Sequence, residues 1–260
     1  MQSVLIDVGG GRSNVRVYQG GTGEPLLYLH GAGGLLADDP FLARLSERYR
    51  VFAPLLPGYE DSDGADNLHD MLDITLHCFD VMEALGLRRP ILVGHSMGGM
   101  IAAEMAAVAP HEVERLGLIA SAGLWLDANP IPDVFALLPY EWPGMLFHDV
   151  ALGTRLLTSG LNMEDPKFMT EFLIQNAKRL GTAGKLLFPI PDRGLADRLY
   201  RVRARTVVIW GEADKLVVPA YGEAFRHRIK GADLVRIADA GHMVGYEKPD
   251  AVLSALARLQ

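Results

Sequence analysis

The segment Ile91–Ala106, ILVGHSMGGMIAAEMA, decides the fold, because an apolar run, a glycine-rich turn and a helix-forming run follow one another without a break. The turn, GHSMG, matches the pattern G-x-S-x-G between a strand and a helix. Glycine at positions 94 and 98 lets a strand turn sharply into a helix without colliding with its neighbours. The pattern predicts that the Ser96 hydroxyl is held above a sheet as a nucleophile, with the helix beginning at Met97.

Apolar strand-like runs alternate with amphipathic helical runs along most of the chain. This alternation is typical of an α/β protein whose mostly parallel sheet is covered by helices on both faces. Residues 3–8 and 14–19 flank a glycine turn and predict an opening hairpin. The other predicted strands are Leu26 to Leu29, Val51 to Ala53, Ile91 to Gly94, Leu116 to Ala120, Val207 to Trp210 and Leu234 to Ile237.

One helix is predicted between the second and third of these parallel strands. Apolar residues recur there at three- and four-residue spacing from Leu68 to Leu85, which indicates a single core-facing side. We expect Leu72 and Cys78 on that side and His77 on the polar side.

The alternation of strands and helices stops at about residue 123 and resumes at about residue 202. The intervening segment is rich in proline at its start, contains two or three helical stretches and has no convincing strand. It is too long for an ordinary connection, since most α/β loops have about 2–6 residues. We therefore predict a core domain made of residues 1–122 and 202–260, with residues 123–201 inserted as a helical lid.

Composition limits the classes of partner. The chain has 260 residues, 49% of them hydrophobic, and a formal net charge of −7. Without a Lys/Arg block, this charge argues against nucleic acid or an anionic membrane and favours a small-molecule substrate. We expect a cytoplasmic protein, because residues 1–11 lack the features of a signal peptide, no apolar run could span a bilayer, and one cysteine cannot form an internal disulfide. The oligomeric state is left open.

A serine hydroxyl needs a base to accept its proton and an acid to orient that base. Asp214 follows an apolar strand in the segment TVVIWGEADKLVVP, and His242 lies in a glycine-containing loop, DAGHMVGYEKPDAV, after the last predicted strand. Of the eight histidines, only His242 has the loop position that a base requires. Serine, acid and histidine therefore occur in the chain order of a G-x-S-x-G hydrolase.

With these motifs in place, the whole chain resembles the α/β-hydrolase superfamily. The opening hairpin, LHGAGG, LLPGYEDSDG, GHSMGGMIAAE, WGEADKLVVP and AGHMVGYEKPD occur in the order usual for that family. The resemblance implies a Ser96–His242–Asp214 catalytic triad and an oxyanion hole formed by the backbone N–H groups of Ala32 and Met97.

The resemblance also implies roles for neighbouring residues. His30 and His95 are expected to be structural. Asp127 is a second candidate for the acid, because some members place it after the sixth strand, but the loop around Asp214 fits better. No metal or organic cofactor is expected, since no cluster has metal-ligand spacing.

The implied reaction is hydrolysis of a carboxylic ester through an acyl-enzyme intermediate. Three alternatives use the same triad: carbon–carbon bond hydrolysis, haloperoxidase or perhydrolase activity, and a ligand receptor with vestigial turnover. Many carbon–carbon hydrolases of this fold carry tryptophan directly after the histidine, where this chain has Met243. Turnover of small esters distinguishes an enzyme from a receptor.

The lid supplies the only indication of substrate. Its first half is rich in aromatic and aliphatic residues, which predicts an apolar pocket, and no charged anchor for a substrate is evident. The predicted pocket residues are Trp125, Leu138, Trp142, Met145 and Met243.

Overall fold

A computed structural model describes residues 1–36, 38–158, 165–187 and 192–260. Its centre is an eight-stranded sheet in which the strands from the third onward run parallel and the first two form an antiparallel hairpin. The α/β architecture predicted from the alternation of apolar runs is therefore confirmed. In chain order the strands are β1 (Gln2–Val8), β2 (Ser13–Gly20), β3 (Glu24–Leu29), β4 (Tyr49–Pro54), β5 (Ile91–His95), β6 (Arg115–Ile119), β7 (Arg205–Gly211) and β8 (Asp233–Ile237).

The spatial order of the strands is β1-β2-β4-β3-β5-β6-β7-β8, so the strand before Ser96 lies inside the sheet, between β3 and β6. All five residues of β5 are buried, as expected for a parallel strand covered on both faces. Because β5, β7 and β8 run parallel, their carboxyl ends meet at one edge of the sheet. The loops after these strands carry Ser96, Asp214 and His242.

Nine helices are described around and beyond the sheet. They are α1 (Pro40–Leu45), α2 (Met71–Ala84), α3 (Met97–Val108), α4 (Trp142–Leu146), α5 (Val150–Leu157), α6 (Pro166–Leu187), α7 (Ala220–Arg228), α8 (Val244–Glu247) and α9 (Pro249–Leu256). The helix that follows Ser96, α3, is buried from Met97 to Ala107, which explains its run of alanine, glycine and methionine.

The segment from residue 123 to residue 201 has no strand among its described residues. It contains α4, α5, α6 and short 3-10 turns, while residues 159–164 and 188–191 lie outside the described part. Part of this segment is joined to the loop after β8, since the Met243 N–H donates to the Leu146 carbonyl (3.0 Å). The Asp149 N–H also donates to the Glu247 carboxylate (2.8 Å).

Helix α2 corrects two expectations. His77 is buried and not on a polar side, and Leu72 is 52% exposed and not in the core. The helix packs against both α3 and β1, so more than one of its sides is covered. A periodicity argument that assumes one covered side places these two residues wrongly. Cys78 is buried, as predicted.

Burial of His77 predicts a loss of stability in acid. Burial lowers the pKa of His77 to about 4, helped by the nearby positive charge of Arg12, and its Nε2 has no hydrogen-bond partner among the described residues. The unfolded chain binds the proton near the ordinary pKa of about 6.5. Stability is therefore lost as the pH falls from about 6.5 towards 4, by about 2 kcal/mol at pH 5 for this residue alone.

The measurement is urea unfolding at pH 7 and pH 5 for wild type and His77→Gln. We expect a smaller difference between the two pH values in the variant, even if the variant is less stable at both. His69→Gln is the matched control, since His69 is exposed. An equal difference in wild type and His77→Gln would contradict the assignment.

Candidate active site

The backbone at Ser96 is strained, with φ +53° and ψ −116°. A positive φ is uncommon for a residue with a side chain and is kept only where the surroundings enforce it. Here the Ser96 N–H donates to the Ile119 carbonyl (2.9 Å), and the Ala122 N–H donates to the Ser96 carbonyl (3.0 Å). The end of β6 and the loop that follows it thus hold the backbone of Ser96 from both sides.

The glycines on either side of Ser96 are required by close packing. A Cβ atom on Gly94 would lie 2.2 Å from the Gly98 carbonyl oxygen, and one on Gly98 would lie 2.1 Å from the Leu29 carbonyl oxygen. Both distances are far inside van der Waals contact. This is the physical reason for the G-x-S-x-G pattern in this chain.

Three side chains from separate loops meet in one line of hydrogen bonds. His242 Nε2 lies 2.9 Å from Ser96 Oγ, and His242 Nδ1 lies 2.9 Å from Asp214 Oδ2. The His242 and Asp214 side chains are 3% and 0% exposed, so the contact between them is shielded from water. A base within hydrogen-bond reach of a hydroxyl, itself oriented by a buried carboxylate, is the arrangement that activates a serine.

The loop after β7 fixes the Asp214 carboxylate. Its Oδ1 accepts hydrogen bonds from the N–H groups of Leu216 and Val217, both at 2.9 Å, which leaves Oδ2 for His242. The other candidate acid, Asp127, is exposed and accepts a hydrogen bond from the Trp125 indole (3.0 Å). Of these two candidate acids, only Asp214 lies within hydrogen-bond distance of His242.

His30 orients the peptide that contains the Ala32 N–H. His30 Nε2 accepts from the Leu56 N–H (3.0 Å), so the ring proton is on Nδ1 and is donated to the Gly31 carbonyl (2.7 Å). Burial lowers the pKa of His30 to about 4, which keeps the ring neutral. In a trans peptide the carbonyl and the following N–H point in opposite directions. Holding the Gly31 carbonyl therefore turns the Ala32 N–H the other way.

Two further residues support the same constellation. The Tyr59 hydroxyl donates to the Ala32 carbonyl (2.9 Å), which holds the next peptide of the loop. His95 Nε2 donates to the His242 carbonyl (3.0 Å), and burial lowers the pKa of His95 to about 3, so it is a neutral donor. Met97 begins α3, and its N–H has no acceptor within the helix.

Ser96 and His242 open into a cavity of about 330 Å³, a size suited to a small molecule. The walls come from the loop of residues 31–36, the loops after β6, β7 and β8, and the segment of residues 123–201. Most of the lining side chains are apolar. Among the described residues of the segment 123–201, three polar side chains line the cavity: Asp133, and Asn176 and Arg179 of α6.

Known proteins of similar sequence identify the family of this chain, in agreement with its α/β fold. The profile described as the alpha/beta hydrolase family matches residues 26–255, which is most of the chain. The chain belongs to the alpha/beta hydrolase family. Lipase 3 of Moraxella sp. (strain TA144) is 30% identical to this hydrolase over 241 residues, covering 85% of this chain and 72% of the lipase.

Two further proteins illustrate the range of relatives of this hydrolase. The 2-hydroxy-6-oxo-6-phenylhexa-2,4-dienoate hydrolase of Burkholderia cepacia is 28% identical over 266 residues, covering 93% of this chain and 90% of that enzyme. The crystal structure of naproxen esterase from Bacillus subtilis superimposes with a TM-score of 0.75 at 20% identity, covering 99% of this chain and 90% of that one. At that identity the superposition shows a shared fold alone.

The five predicted pocket residues of this hydrolase fall into two groups. Trp125, Trp142 and Met243 line the cavity. Leu138 is 51% exposed and does not border the cavity, since its segment faces solvent beside the exposed Tyr140. Met145 also lies outside the lining and packs against the hydrophobic core.

Sequence reasoning about this hydrolase missed several cavity residues. Asn176 and Arg179 lie on α6, whose polar positions are typical of a solvated helix face, so no local signal separates them from surface residues. Tyr246 also lines the cavity, and its hydroxyl donates to the buried Asp39 carboxylate (2.8 Å). Tyr246 follows closely after His242 in the sequence, in α8, and this nearness was the available signal.

Two kinds of feature are absent from the described residues of this hydrolase. No group of three or more His, Cys, Asp or Glu side chains there could hold a metal ion. None of the described helices combines the length and the apolar character needed to cross a bilayer.

Proposed function

We propose that this hydrolase cleaves a small, largely apolar carboxylic ester through an acyl-enzyme intermediate, with Ser96 as nucleophile, His242 as base and Asp214 as orienting acid. The observation that carries the proposal is the hydrogen-bonded line from Ser96 Oγ through His242 to Asp214, with both distances at 2.9 Å. The elbow opens into a mostly apolar cavity, which supports a small apolar substrate.

Acylation follows from this geometry. Ser96 Oγ attacks the ester carbonyl carbon while His242 Nε2 takes the hydroxyl proton, and Asp214 stabilises the resulting imidazolium without accepting a proton. The tetrahedral intermediate carries an oxyanion, which the N–H groups of Ala32 and Met97 stabilise. The intermediate collapses as the C–O bond to the alcohol breaks and His242 gives that alcohol its proton.

Deacylation repeats these steps with water. His242 takes a proton from a water molecule, the hydroxide attacks the acyl carbon, and the carboxylic acid leaves as Ser96 Oγ regains the proton from His242. The His30 contact to the Gly31 carbonyl holds the oxyanion loop in place throughout, so no reorganisation is required when charge develops.

We also propose that residues 123–201 form a lid over Ser96. Residues of this segment make up much of the cavity wall, among them Trp125, Trp142 and Phe135. The hydrogen bond from the Met243 N–H to the Leu146 carbonyl joins the first half of the segment to the loop that carries His242. A substrate bound at Ser96 would contact both the core and this segment, so the segment would select the substrate.

A second candidate is carbon–carbon bond hydrolysis. It is favoured by the similarity to the Burkholderia cepacia hydrolase along nearly the full length of both chains. Met243, where many carbon–carbon hydrolases of this fold carry tryptophan, favours the ester reaction.

The test is a panel of p-nitrophenyl esters of acetate, butyrate, octanoate and laurate, assayed beside 2-hydroxy-6-oxo-6-phenylhexa-2,4-dienoate. We expect kcat/KM to be highest for a short or medium acyl chain, because a cavity of about 330 Å³ lies at the small end of ligand pockets. We expect kcat/KM for the dienoate to be at least about a hundredfold lower, because Met243 stands where many carbon–carbon hydrolases of this fold carry tryptophan. Faster turnover of the dienoate than of the esters would favour carbon–carbon bond hydrolysis over ester hydrolysis. Tight ester binding with only one slow turnover per molecule would indicate a receptor.

A further inference from the structure

The Ala32 N–H lies in a tight turn, residues 31–34, whose ends are joined by a hydrogen bond from the Gly34 N–H to the Gly31 carbonyl (3.0 Å). The central peptide of such a turn, here between Ala32 and Gly33, can take two orientations while both ends stay in place. One of them needs a positive φ at the third residue, which glycine adopts without strain. The structure has the orientation without a positive φ at Gly33. Because that residue is glycine, the sequence of the turn permits both.

The Tyr59 side chain fixes the orientation of this central peptide. Its hydroxyl donates to the Ala32 carbonyl, which belongs to that peptide (2.9 Å). Burial raises the pKa of Tyr59 well above its ordinary value, so the hydroxyl keeps its proton and remains a donor. The Tyr59 ring is 1% exposed and packs edge-on against the His30 ring, with centroids 4.5 Å apart. Since His30 holds the peptide before Ala32 and Tyr59 holds the peptide after it, the Ala32 N–H is positioned from both sides.

The two residues that flank Tyr59 pack against α6. Glu60 forms an ion pair with Arg179. A Cβ atom on Gly58 would lie 2.4 Å from Thr182 Oγ1, so the Gly58 backbone lies directly against that side chain. Arg179 and Thr182 are three residues apart and therefore lie on the same side of α6. One side of α6 thus contacts the chain immediately before and after Tyr59.

The backbone around Tyr59 is closed by its own hydrogen bonds. The Tyr59 N–H donates to the Leu56 carbonyl (3.1 Å), the Ser62 N–H donates to the Tyr59 carbonyl (2.9 Å), and the Gly58 N–H donates to the Ser62 carbonyl (2.9 Å). A segment bonded in this way moves as a unit, so a displacement at Gly58 or Glu60 also displaces Tyr59. The contacts of α6 are therefore connected to the turn that carries Ala32.

We infer that Tyr59 is a positioning residue for the Ala32 N–H, and that the packing of α6 against residues 58–60 holds Tyr59 in place. The contacts between α6 and the core thereby affect the rate of the reaction as well as the shape of the cavity. The inference rests on the oxyanion hole proposed above and adds a route by which the inserted segment acts on the reacting bond.

Tyr59→Phe tests the hydroxyl, because it keeps the ring and removes only the hydrogen bond to Ala32. We expect kcat for p-nitrophenyl butyrate to fall by about tenfold with KM within about twofold of wild type, since the N–H stabilises the charged intermediate more than the ester. The rate at which a fluorophosphonate labels Ser96 should fall by a similar factor, because its phosphoryl oxygen occupies the same oxyanion hole. Tyr49→Phe is the matched control. Tyr49 is equally buried and begins β4, at the opposite end of the parallel strands from Ser96.

Glu60→Gln tests the contribution of α6, because it removes the charge that pairs with Arg179. We expect kcat to fall by about threefold in otherwise wild-type protein and by less than about 1.5-fold when Tyr59→Phe is also present. The two changes are not additive if the first acts through the hydroxyl that the second removes. A direct effect of the Arg179 charge on the oxyanion would be equal in both backgrounds. Glu47→Gln is the matched control, since Glu47 pairs with Arg44 and does not line the cavity.

All assays should be run well below the melting temperature of each variant. A kcat for Tyr59→Phe within about twofold of wild type, or equal to that of Tyr49→Phe, would overturn the role of Tyr59. An equal effect of Glu60→Gln in both backgrounds would overturn the role of α6.

Failure of the proposed function would look different, with no ester hydrolysed by folded protein. The labelling rates of Ser96 then decide the matter. Slower labelling of Tyr59→Phe than of Tyr49→Phe supports the inference, and equal rates contradict it. A wild type that the fluorophosphonate does not label would overturn both the proposed function and the inference.

Discussion

Replacing Ser96 by alanine should lower kcat for p-nitrophenyl butyrate by about 10⁴–10⁶-fold, because the acyl-enzyme can no longer form. Residual turnover should come from the oxyanion N–H groups and from binding alone. The fold should survive. Alanine keeps the Cβ atom and therefore the same strained φ of +53°, and the backbone contacts from Ile119 and Ala122 do not involve the hydroxyl.

Ser121→Ala is the matched control for this experiment. Ser121 is buried in the next loop, and its hydroxyl donates to the Ala122 carbonyl (2.9 Å), not to His242. Its loss should change kcat by no more than a few-fold. The melting temperatures of both variants should be measured, so that a loss of activity cannot be attributed to unfolding. Activity of Ser96→Ala within tenfold of wild type would contradict the account.

Replacing Asp214 by asparagine should lower kcat by about 10⁴-fold with a much smaller change in KM. Asparagine can still accept the N–H groups of Leu216 and Val217 through its carbonyl oxygen, which leaves its amide group facing His242. That amide donates where the carboxylate accepts, so the histidine is held in the tautomer with its proton on Nε2. In that tautomer Nε2 cannot take the proton of Ser96.

Asp127→Asn is the comparison, because Asp127 is the other carboxylate that the sequence offers. Its side chain is exposed and bonds the Trp125 indole, and asparagine can accept the same hydrogen bond through its carbonyl oxygen. We expect kcat within about threefold of wild type, as for most surface substitutions. A greater loss of kcat in Asp127→Asn than in Asp214→Asn would identify Asp127, after the sixth strand, as the acid.

Much of the fold could be predicted because parallel strands are buried on both faces. The continuous apolar runs at Ile91 to Gly94 and Val207 to Trp210 correspond to β5 and β7 with small shifts at their ends. The candidate site could be predicted for a related reason. Its three side chains follow strands whose carboxyl ends share one edge of the sheet, so chain order alone brings their loops together.

What could not be predicted depends on contacts between distant elements. His77 is buried because α2 packs against the opening hairpin as well as α3, and the sequence of one helix does not contain that information. Arg179 faces the cavity because α6 lies over Gly34, more than a hundred residues earlier in the chain. Leu138 was expected in the pocket for its apolar side chain, yet it is exposed.

The most direct test of the proposed mechanism is covalent labelling with a fluorophosphonate, followed by mass spectrometry of the labelled peptide. We expect one phosphonate on Ser96 in wild type, none in Ser96→Ala, and labelling slowed by at least about 10³-fold in His242→Ala, where the base is missing. Labelling that persists in Ser96→Ala, or that is found on another residue in wild type, would contradict the assignment of Ser96 as the nucleophile.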